Sequence, residues 1–128
     1  MSPISGRSLA QPESELEAMI VADRDGIIRE WNGAAERIFG YCAAEAIGRT
    51  LDLVVPEEER ADHWRNYRRV IATNIINYSP DHILDVEGVR KDGSRVPLDA
   101  MLKPARDASG RITTITAHLR EAESAMPS

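Results

Sequence analysis

The stretch Ile20-Val21-Ala22-Asp23-Arg24-Asp25-Gly26-Ile27-Ile28-Arg29-Glu30-Trp31-Asn32-Gly33-Ala34-Ala35-Glu36-Arg37-Ile38-Phe39-Gly40 decides the fold. Two β-rich runs flank Asp25-Gly26, and the glycine accepts the positive φ that a tight hairpin turn needs. Asn32 then suits a helix N-cap, Ala34–Phe39 makes a short helix, and Gly40 stops it. The spacing predicts strand, turn, strand, helix.

Working outward, a second short helix over Ala43–Ile47 closes at Gly48. Leu51-Asp52-Leu53-Val54-Val55 leads to Pro56, a residue favoured in the first turn of a helix. Glu57, Glu58 and Glu59 suit the positive end of that helix, which can run to about Thr73. The remainder is strand-like: Asp81–Arg90 and Ser94–Lys103 around the turn Lys91-Asp92-Gly93, then Arg111–Arg120. On the N-terminal side, Ser14…Glu17 has capping-box spacing, with Leu16, Met19 and Ile20 on one apolar side of a short helix. That side would cover the domain or pair with a second copy in a homodimer. Residues 1–14 read as a lead-in, 15–121 as one domain and 122–128 as a short tail. The expected class is α+β: a five-stranded antiparallel sheet, with short helices and one longer helix covering one face.

Composition narrows the function. With 128 residues and 42% hydrophobic side chains, the chain affords one real core. Sixteen basic against 21 acidic residues, a net charge of −5, disfavours nucleic-acid binding, which needs a basic surface. One cysteine, Cys42, excludes a disulfide framework within one chain. No apolar run approaches the ~20 residues of a membrane span, and the start lacks a secretory stretch. A soluble cytoplasmic domain is expected, with no membrane association. No carboxylate pairing or serine–histidine–carboxylate pattern stands out, so an enzyme is not expected.

The motifs Ala22-Asp23-Arg24-Asp25-Gly26-Ile27-Ile28, Trp31-Asn32-Gly33-Ala34-Ala35-Glu36-Arg37-Ile38-Phe39-Gly40-Tyr41, Ile47-Gly48, Pro56 and Arg90-Lys91-Asp92-Gly93-Ser94 resemble those of PAS domains, in the right order. The resemblance implies a sensor or interaction module whose sheet and helices enclose a small-molecule pocket. Flavin photoreceptor PAS domains carry an Asn-Cys-Arg motif just after the Gly-Arg step. Here Gly48-Arg49-Thr50-Leu51-Asp52 stands there, so that chemistry is not expected.

His63 points to another chemistry. At ~100° per residue, Tyr67, Val70 and Ile71 share its side of the long helix, so the imidazole falls in an apolar stripe. The helix also resembles that of the haem-binding PAS domains of oxygen-sensing histidine kinases. The likeness implies haem b (iron protoporphyrin IX), with His63 as axial ligand and Arg69 near the propionates. Alternation along His82-Ile83-Leu84-Asp85-Val86-Glu87 puts His82, Leu84 and Val86 on one strand face. His82 is thus a candidate second metal ligand, with His63, Tyr67, Val70, Leu84, Val86, Leu98 and Ile115 as pocket residues. Leu84 stands where the kinases place an oxygen-binding arginine, which favours CO, NO or redox state over O2 as the signal. His118 alternates onto the more polar face and is not expected in the pocket. With only eight residues after Arg120, signalling to a partner protein in trans is expected, or the chain is a fragment.

Two bland readings stand beside this one. His63 is equally an ordinary helix residue bonded to a carbonyl, and His82 a strand-edge residue facing water. In that case the domain is a cofactor-free dimerisation or interaction module, or a PAS pocket for a small apolar metabolite.

Overall fold

The computed structural model describes residues 17–79 and 81–122. Its elements in chain order are β1 (Ala18–Asp23), β2 (Ile28–Trp31), α1 (Gly33–Phe39), α2 (Ala43–Ala46), a 3-10 turn at Leu51–Leu53, another at Glu57–Glu59, α3 (Arg60–Thr73), β3 (Leu84–Val89), β4 (Arg95–Arg106) and β5 (Ile112–Glu121). The strands form one antiparallel sheet in the order β2-β1-β5-β4-β3.

The opening motif folds as its residues dictate. Asp23 Oδ1 accepts the backbone N–H groups of Asp25 (2.9 Å) and Ile27 (3.0 Å), and Gly26 takes φ +77°. Asn32 Oδ1 accepts the Ala35 N–H at 3.0 Å to cap α1, and Gly40 closes it at φ +88°. The same Oδ1 accepts the Met19 N–H at 3.0 Å, which joins the cap to β1.

The expected helix over Ser14–Ile20 is corrected. Ala18, Met19 and Ile20 lie in β1, while Ser14, Glu15 and Leu16 fall outside the described residues. Ile20 pairs with Trp31 on one side and Ala117 on the other. A strand paired along both edges satisfies its backbone groups, which outweighs the weak preference of a short helix. Strand limits also move: β3 starts at Leu84 rather than Asp81, and β4 continues to Arg106.

Two packed clusters form the core. The larger joins Ile20, Ile28, Trp31, Phe39, Val96, Leu98 and Leu119 under α1 and α2. The smaller joins Ala22, Tyr67, Ile112 and Ile115, with Trp64, Val70 and Ile71 packed against them from α3. The long helix therefore meets the sheet near β1 and β5. At β3 the inner face is less covered: Val86 lies opposite buried Leu98 on that face, yet is 40% exposed.

Candidate functional site

The site is built on α3. Its inward side carries His63, Val70 and Ile71, all half-buried, and buried Tyr67, while Arg65, Arg68 and Arg69 are exposed. His63 packs edge-on against Trp64 (ring centroids 4.9 Å) and tilted against Tyr67 (5.8 Å). Its Nδ1 is buried and has no hydrogen-bond partner among the described residues. Burial holds the imidazole below its usual value, and the Asp52 carboxylate offsets this only in part. The ring is therefore a neutral nitrogen base near pH 7, with one nitrogen left unsatisfied.

Neighbouring groups fix the helix around it. Trp64 Nε1 donates to Asp52 Oδ1 at 2.7 Å, and its ring lies on the backbone of Gly26. The Tyr67 hydroxyl donates to the Asp23 carbonyl; burial, and then the Asp23 and Asp25 carboxylates, push its pKa well above the usual phenol range. At the C-terminal end Asn74 adopts φ 58°, its Oδ1 accepting the Ile112 N–H at 2.8 Å. Arg24 donates to the carbonyls of Ile71 (3.1 Å) and Ile112. The end of α3 is thus tied to the β1–β2 turn and to the start of β5.

The pocket residues expected from sequence divide into three groups. Tyr67, Val70 and Ile115 meet in the smaller cluster. Leu98, with Leu84 at its edge, belongs to the larger one. His82 and Val86 are exposed. The expected strand position of His82 is corrected: it precedes β3, stacks on Tyr78 at 5.1 Å, and donates its backbone N–H to Ser79 O at 3.0 Å. The β3–β4 ladder begins at Leu84 opposite Ala100, so strand alternation does not reach His82. Arg69 is exposed, and its side chain has no partner among the described residues. His118 lies on the outer sheet face, its Nδ1 3.4 Å from Glu17 Oε1. Cys42 is exposed ahead of α2.

Sequence reading missed Asp52, Arg24 and Asn74. Only Asn74 carried a local signal, since asparagine is a common left-handed helix stop. The other two act across separations of 12 and 47 residues.

The sensor protein FixL of Bradyrhizobium diazoefficiens is 38% identical over 86 residues, covering 64% of this chain and 16% of that protein. The chain thus spans a small part of that relative's length. The crystal structure of a PAS domain from Colwellia psychrerythraea superposes with a TM-score of 0.70 at 18% identity, covering 89% of this chain and 96% of that one. The PAS domain of the Cronobacter turicensis quorum-sensing receptor RpfR, in complex with BDSF, superposes with a TM-score of 0.67 at 15% identity, covering 84% and 95%. No helix among the described residues is long and apolar enough to cross a membrane. A family profile described as PAS fold matches residues 11–122, and with the five-stranded antiparallel sheet and its covering helices this places the chain in the PAS family.

Proposed function

We propose that this PAS domain binds haem b through His63 and reports a diatomic gas or the redox state of the iron to a partner protein in trans. One observation carries the reading: the His63 imidazole is neutral, half-buried and left with Nδ1 unpartnered. An unsatisfied buried nitrogen costs free energy unless something completes its environment. Similarity to the sensor protein FixL supports the same choice. When bound, haem iron supplies the centre that responds to gas or electrons.

This chain's residues set the terms. His63 offers one imidazole from the inward side of α3. Arg69, six residues on, offers a guanidinium with no competing partner among the described residues, suited to a propionate. Leu84 contributes no hydrogen-bond donor, and the Tyr67 hydroxyl is committed to the Asp23 carbonyl. Neither can steady a bound oxygen, which favours CO, NO or iron oxidation as the signal. Leu98 and Ile115 are buried, so a porphyrin could be seated beside them only if α3 moved away from the sheet. That shift would pull on the ties at Asp52, Arg24 and Asn74, and so on the sheet. The exposed position of His82 favours a single protein ligand.

Absorption spectra of the ferric and ferrous chain after haem reconstitution test this. A Soret band lost in His63→Ala is expected. No Soret band, or an unchanged spectrum in His63→Ala, would overturn the reading. A bis-imidazole spectrum lost in His82→Ala would restore His82 as second ligand.

A second reading has its own observation. The partly exposed Val86, beside buried Leu98, also suits a small apolar metabolite. Mass spectrometry of extracted ligand separates the two.

A further inference from the structure

We propose that the cleft between α3 and the β1–β2 turn binds a small zwitterion: a free α-amino acid, or a molecule with the same amine and carboxylate. The site neighbours His63 through Trp64 and Tyr67, which pack on that ring, but it does not require haem. The cleft measures about 370 Å³, and His63 does not line it. Trp64 and Tyr67 form an aromatic wall, and Thr50 adds a hydroxyl.

Four charged side chains line the cleft, two of each sign: Arg24, Arg68, Asp25 and Asp52. Two are already engaged. Arg24 donates to the Ile71 and Ile112 carbonyls, and Asp52 accepts the Trp64 N–H with Arg60 3.9 Å away. The other two are not. Among the described residues, neither the Arg68 guanidinium nor the Asp25 carboxylate has a hydrogen-bond or ion-pair partner, and they do not pair with each other.

Both side chains stand on anchored elements. Arg68 stands on α3, and Asp25 on a turn fixed by Asp23 and wedged beneath the Trp64 ring. In the proposed complex the ligand's carboxylate would face Arg68, its ammonium would face Asp25, and its carbon skeleton would lie along the accessible part of Trp64. A molecule with only one of these charges satisfies only one side. The cleft therefore selects for the pair of charges rather than for either alone.

The test is titration of the full 128-residue chain with L-phenylalanine, phenethylamine and 3-phenylpropionate, read by NMR at the indole N–H of Trp64. Trp31, whose Nε1 donates to the Tyr41 carbonyl, is the internal reference. A saturable Trp64 shift is expected for the amino acid, with affinity at least about tenfold above that of either half-molecule. Arg68→Ala and Asp25→Asn, both at exposed positions, should each remove that advantage. No saturable shift up to about 10 mM, equal binding of the half-molecules, or equal shifts at Trp31 and Trp64 would overturn the proposal.

Discussion

The six-membered ring of Trp64 lies directly on Gly26: a Cβ at that glycine would sit 2.3 Å from both Cη2 and Cζ3. The long helix is thus docked onto the β1–β2 turn by direct contact between ring and main chain. Gly26 also has φ +77°, so an alanine there meets both a steric and a conformational penalty. Gly26→Ala should cost about 2–4 kcal/mol in urea unfolding. Trp64→Ala should relieve the steric part, giving a coupling of about 1 kcal/mol or more in a double-mutant cycle. Strict additivity would show that the contact is not the source.

Asn74 tests the tie at the other end of the helix. Its Oδ1 serves the Ile112 N–H at 2.8 Å and lies 3.4 Å from Arg24 Nη1. Asn74→Gly keeps the left-handed backbone but leaves Ile112 unpartnered, at about 1–2 kcal/mol. Asn74→Ala should cost a further ~1 kcal/mol because its φ is 58°. Faster amide exchange in the last turn of α3 should accompany both; exchange as in the parent would refute the tie.

Acid stability should report Asp23. Burial alone would raise its pKa, but the Ile27 N–H, the Arg29 side chain at 2.7 Å and the Asp25 N–H outweigh burial and lower it. The unfolded carboxyl titrates near 3.8 and the folded one below that. Stability from this group is therefore complete above about pH 4 and is lost as pH falls through the lower folded value. Asp23→Asn should cost about 1–2 kcal/mol at pH 7, discounted for partial exposure, and should flatten the acid limb. A parallel acid limb in the variant would assign that slope to other carboxylates.

If haem binds as proposed, Arg69 distinguishes holding it from ligating it. In the reconstituted protein, Arg69→Gln should release haem several-fold faster while leaving the band positions unchanged. A spectrum that moves, or a rate that does not, would remove Arg69 from the propionate contact.

Much of this fold is legible locally because its punctuation is local. Asp25-Gly26, Asn32, Gly40 and Lys91-Asp92-Gly93 each act within a few residues, and the elements between them appear as their periodicity predicts. The stretch before β1 misled because Ala18–Ile20 pair with partners some 10 and 100 residues away, Trp31 and Leu119 among them. The inward side of α3 followed from helical spacing. The position of His82 did not, because alternation says nothing about where pairing begins, and the ladder starts at Leu84 opposite Ala100. The ties through Asp52 and Arg24 exist only once distant segments meet.

Ile75, Tyr78, Ile83 and Val86 are among the large apolar side chains exposed at 40% or more, and all four fall between the end of α3 and the middle of β3. Exposed apolar surface concentrates in that short span, so self-association on storage should begin there. A partner or ligand that covered those four side chains would then double as a solubiliser, and preparations differing only in that cover would differ in shelf life.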